Sequence, residues 1–208
     1  MKLLDRTPTV EAAEKMLADA EQVLARWSAE VEAKAAELAD LQSRAGDEAL
    51  DDPGAAGRLA ETMHRLAAEQ DVARRAVAAA GERLGQARRG LLRARAAELR
   101  TRAGRLSKVA EARQKRTDEL LAALSEHEGA KYHPWSPACD GHDAVMHGPV
   151  RYKVPLTGVI AREAKRLEGQ AAELERLAAE GTAEQVAAAV GRPMPEPSSV
   201  EREMTGVR

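Results

Sequence analysis

Four residues in one short stretch carry side chains that ligate metals. They are His133, Cys139, His142 and His147, spaced His-x5-Cys-x2-His-x4-His. Zinc takes thiolate and imidazole in a tetrahedral shell, and one Cys with three His would close a structural site. Zinc is therefore the candidate cofactor of this stretch. The spacing argues the other way, because zinc sites usually bring Cys in pairs two residues apart and no pair exists here. The plainer reading leaves the histidines as polar surface and expects no cofactor. A Cys139–His nucleophile pair is weaker again, since neither an orienting third group nor an oxyanion donor can be named. No catalytic residue is assigned, and the chain is expected not to be an enzyme.

A second chemistry is phosphate binding. Arg88, Arg89, Arg93, Arg95, Arg100, Arg102, Arg105, Lys108, Lys115 and Arg116 form a basic run of the kind that tracks nucleic-acid backbones. No aromatic residues interleave with it and no helix-turn-helix pattern accompanies it. Arg in such a composition also simply solvates a helix. Nucleic acid is thus the alternative partner, not the first. A membrane surface is not expected, because no broad apolar face with Trp or Phe stands opposite the arginines.

The third chemistry is contact. Tyr132, Trp135 and Tyr152 are three of only four aromatic residues, and all lie within residues 130–158. Aromatic side chains anchor protein interfaces, so this stretch is a candidate partner-binding loop.

These residues need elements to hold them, and composition restricts the choice. The chain lacks Phe, and 32% of its 208 residues are charged. Ala, Arg, Glu and Leu at heptad spacing favour long helices. In composition the chain resembles the helical scaffolding and assembly proteins of tailed phages and other large particles, although no motif carries the likeness. A lone cysteine and an N-terminus without an apolar core lead to the expectation of a soluble, cytoplasmic protein.

One stretch organises the rest. From Leu59 the apolar residues step by four and three through Met63, Leu66, Gln70, Ala73, Val77, Ala80, Leu84, Ala87, Leu91 and Ala94. That is a sustained heptad seam. It then slips by one position and resumes as Leu92, Ala96, Leu99, Ala103, Leu106 and Ala110, continuing through Leu120 and Leu124. Such a slip turns the second half of the helix towards a different partner. Gly129 is placed to close it.

Before it, Thr7-Pro8 signals a helix start, and a first helix runs on Val10, Ala13, Leu17, Ala20, Leu24, Trp27, Val31, Lys34, Leu38 and Leu41. Gly46 should end it, leaving an acidic connector to Asp52-Pro53. A short connector implies antiparallel neighbours. Opposed residues then share a constant index sum, and 104 sets Lys34 beside Gln70, the two polar seam residues. Charge agrees: residues 10–52 carry 12 acidic and 4 basic side chains, whereas residues 74–116 carry 14 basic and 3 acidic. Met16 and Val23 flank this seam and could serve a further helix.

After the loop, Thr157 is expected to cap a third helix on Ile160, Ala164, Leu167, Ala171, Leu174 and Ala178. It packs back on the central helix with an index sum of 284 or 277. Thr182-Ala-Glu-Gln185 has capping-box spacing and predicts a short helix to Gly191. Three prolines follow, and the tail reads as disordered.

The expected fold is all-α and elongated, with antiparallel coiled-coil hairpins sharing one long central helix. Its parts are a hairpin over residues 1–128, an irregular loop lobe over 129–158, returning helices over 159–191, and a tail over 192–208. The expected function is a structural, assembly or adaptor protein that self-associates or binds a protein partner. Homo-oligomerisation follows because two-helix layers bury little core per residue.

Overall fold

A computed structural model describes residues 8–52, 54–129, 133–135, 143–147, 150–154 and 157–206. The class is all-α. The helices are α1 (Val10–Asp51), α2 (Ala55–Glu128), α3 (Thr157–Glu180), α4 (Ala183–Val190) and α5 (Ser199–Thr205). The chain divides between Leu91 and Leu92 into two compact units, both of which draw on α2.

That boundary is the phase slip of the seam. Leu91 and Leu92 are 1% and 0% exposed. Neighbouring residues point about 100° apart on a helix of 3.6 residues per turn, so the two leucines belong to different seams of α2. The buried residues of the first seam are Leu66, Gln70, Ala73, Ala80, Leu84, Leu91 and Ala94, and those of the second begin with Leu92, Ala96, Leu99, Ala103 and Leu106, so the two seams overlap at the boundary.

In the unit Pro8–Leu91, α1 packs on α2 in the expected register. Lys34 Nζ lies 3.3 Å from a carboxylate oxygen of Glu69, the neighbour of buried Gln70. Every seam residue expected on α1 is buried or half-buried. The start and end of α1 differ from expectation. Thr9, not Thr7, is the cap, its hydroxyl accepting from Ala12 N–H at 3.2 Å. Gly46 does not end the helix, which continues to Asp51. Arg44 bonds Asp40 and Glu48, one helical turn away on either side, and half-buried Ala45 and Ala49 prolong the apolar stripe. The turn shrinks accordingly. Asp52 accepts from Gly54 N–H at 2.8 Å and pairs with Arg58, in the first turn of α2; Pro53 lies outside the described residues. At the other end of α2, Gly129 takes φ +66°, the left-handed conformation that stops a helix where a side chain would be strained.

The second unit, from Leu92 onward, packs α3 on α2 in a third register. Leu92 clusters with Ala178, and Ala110 shares a core with Ile160. An index sum of 270 fits both, whereas the 284 register sets Leu124 on fully buried Ile160. Leu124 is 38% exposed, which excludes that layer. All three sums differ by heptads and keep large residues opposite small ones, so the seam alone cannot separate them. Val186 and Ala189 of α4 close the core beside Leu92 and fix the choice. Thr157 is itself helical, not the cap of α3. The Thr182–Gln185 capping box is present in both directions.

Two expectations after Gly129 are replaced. Between α2 and α3 the described backbone is a three-stranded antiparallel meander of β1 (His133–Trp135), β2 (Asp143–His147) and β3 (Val150–Val154). Of the three, β3 alone alternates apolar and basic residues, with Val150, Tyr152 and Val154 set between Arg151 and Lys153. The tail is also ordered through Gly206, because α5 and the extended residues before it pack Met194, Val200 and Met204 on the α2–α3 core.

Candidate interaction surface

The hairpin unit leaves one face uncovered. Pro8, Ala13, Met16, Asp19, Ala20 and Val23 form one side of a groove of about 450 Å³, with Ala80, Arg83, Gln86, Ala87 and Gly90 opposite. A second hollow continues the face between Trp27, Glu30 and Lys34 of α1 and Arg65, Ala68, Glu69, Val72 and Ala73 of α2. Helical arithmetic agrees with the alignment, since Met16, Val23 and Glu30 recur every seven residues, as do Arg65 and Val72. Met16 is 58% exposed and Val72 61%, and Val23 is also exposed. Three of the exposed large apolar side chains thus share one face, floored by alanine. Small floor residues let another helix approach closely, and recurring apolar walls suit helix-in-groove docking. Trp27 is half-buried at its margin, with the Arg26 guanidinium 5.9 Å from its ring centroid.

The basic run splits into two populations. Arg95 and Arg102 turn into the second unit instead of out to solvent. Arg95 donates to the carbonyls of Val190 and Arg192. Arg102 bonds both carboxylate oxygens of Glu201 at 2.6 Å and the Pro195 carbonyl at 2.7 Å. Arg102 and Glu201 are both buried, so each neutralises a charge that would otherwise be costly to bury. Glu163 lies nearby, its pKa lowered first by hydrogen bonds from Arg166 and also by the Ser198 side chain. This cluster pins the tail. Sequence reasoning missed it, although Ser198-x-x-Glu201 has capping-box spacing and Val200 and Met204 recur at four. The Glu201 N–H does bond the Ser198 hydroxyl, while its carboxylate goes to Arg102.

The remaining cations are less concentrated than their sequence suggests. Arg100 pairs with Glu175 and Arg116 with Glu119. Arg88 and Arg89 are half-buried. Arg93, Arg105, Lys108 and Lys115 stay exposed.

The loop candidates divide by position. Tyr132, Cys139 and His142 lie outside the described residues. Backbone pairing sets His133 opposite Met146, Trp135 opposite Ala144, Tyr152 opposite Val145, and His147 opposite Val150. Among the described residues, no group of three or more His, Cys, Asp or Glu could hold a metal. No helix among them is long and apolar enough to cross a membrane. Compared with known proteins, the chain matches no family model, no curated protein and no solved structure.

Proposed function

We propose that this chain is a non-enzymatic structural or assembly protein, scaffold-like, that works through protein contacts made by its helical hairpin. The observation that carries this reading is the shared placement of Met16, Val23 and Val72 on one small-residue face. An apolar face rimmed by charge is the ordinary mark of a protein-binding surface. Met16→Glu and Val72→Glu test it. Both sites are exposed, so circular dichroism of either variant should match the parent, while association in sedimentation velocity is lost. Unchanged association in both variants contradicts the reading.

Nucleic-acid association is the second reading, supported by Arg93, Lys108 and Lys115. These are exposed and spaced by fifteen and seven residues, so they follow one flank of α2. Three phosphate contacts would give a log–log salt slope of about −2.7. The assembly reading expects no retardation of nucleic acid at physiological salt, and a retarded complex with that slope would favour the second.

A further inference from the structure

We infer that the uncovered hairpin face takes a second copy of this chain, the two hairpins meeting face to face about a two-fold axis that runs along their length. The inference rests on the assembly reading and names the occupant of the same face.

The hairpin is short of one layer. Of the ten α1 seam residues, only Ala13 and Leu17 are buried, and Leu24, Trp27, Val31, Leu38 and Leu41 remain half-exposed. A second helical layer over the face would cover Met16, Val23 and Val72 and complete a four-helix arrangement.

The charges select a second copy. Residues at one level of the hairpin have index sums near 104, in keeping with the Lys34–Glu69 pair. Asp19 and Arg83 stand at nearly one level across the groove. So do Glu37, which bonds Lys34, and Arg65 beside Lys34 and Glu69. A two-fold axis along the hairpin carries each α1 residue over α2 of the other copy without changing its level. Asp19 then stands over Arg83 of the second copy, and Glu37 over Arg65. Both contacts join opposite charges, and symmetry makes each twice. A two-fold axis across the hairpin instead lays the acidic α1 on its own copy, where like charges repel. An unrelated partner would need this charge order independently; a second copy has it automatically.

The decisive experiment uses the full chain with Asp19→Arg, Arg83→Asp, and an equimolar mixture of the two, read by native mass spectrometry and light scattering. Both positions are exposed, and circular dichroism checks that the helices persist. The parent should be a dimer. Each variant sets like charges together twice and should dimerise at least about tenfold more weakly. The mixture should recover a one-to-one heterodimer. In it, position 19 of either chain again meets a charge of opposite sign at position 83 of the other, on both sides of the axis. A dimeric parent whose mixed variants fail to pair overturns the arrangement. A parent that stays monomeric at about 100 μM, a concentration that fills an interface of micromolar affinity, overturns the second copy. In that case, a different protein partner lost on Met16→Glu leaves the assembly reading standing, and the absence of any such partner sinks both.

Discussion

Arg102 shows how one side chain decides whether the tail belongs to the fold. Its guanidinium holds Glu201 in a bidentate pair, and the Pro195 carbonyl takes a further N–H. Removing one member of a buried pair typically costs about 3–5 kcal/mol. Here α5 can detach and hydrate the remaining charge, so the cost cannot exceed that of undocking the tail. Arg102→Ala is therefore expected to raise hydrogen exchange across residues 199–205 to near the unfolded rate, with a smaller change in global melting. Unaltered exchange there would show that the apolar contacts of Val200 and Met204 hold the tail alone. Glu163 adds a pH dependence. Its folded pKa is depressed, principally by Arg166, so folding favours the ionised form. That stability is complete above the ordinary glutamate value of about 4.3 and is lost as pH falls through the lower folded value. Urea melts should accordingly weaken below about pH 4 in the parent and less steeply in Glu163→Gln.

At the scale of elements, the adjacent pair Leu91–Leu92 separates two cores on one helix. Either Leu→Ala change should cost about 2–5 kcal/mol, and the damage should be local. Leu91→Ala should lower hydrogen-exchange protection in α1, and Leu92→Ala in α3 and α4. Equal loss in all of these helices would contradict two separately packed units. Gly46 offers a change of the opposite sign. It lies inside α1, and a Cβ built there meets nothing within 4 Å. Gly46→Ala should stabilise the helix by up to about 1 kcal/mol in a thermal melt. The sequence showed α1 to α4, the hairpin register and the seam slip because each rests on local period and a short turn, whereas α5 fell in a proline-rich tail read as disordered. The α3 register was not legible, since heptad shifts preserve large-on-small layers and only α4, packed beside Leu92, breaks the tie. Gly46 misled because a glycine that ends a helix and one inside a helix look alike unless the following turn is known. The meander was hidden because β1 has three residues and β2 little alternation. As for the candidate site, Met16 and Val23 could be seen beside their seam. Val72 joined them only once the two helices were set side by side.

For the whole molecule, the central claim is that the hairpin face of Met16, Val23 and Val72 is where the chain meets another protein, a second copy first. Association there makes a prediction that no property of the isolated chain imitates. Protection should depend on concentration, and only in part of the sequence. Exposed salt links such as Asp19 with Arg83 of the second copy should also weaken as ionic strength rises. The most direct measurement is hydrogen exchange by mass spectrometry on the full chain at low and high protein concentration. Exchange should slow at high concentration for peptides covering residues 13–34 and 65–90, with residues 157–206 unchanged. Identical exchange in the hairpin peptides at both concentrations, or slowing confined to residues 157–206, would contradict it.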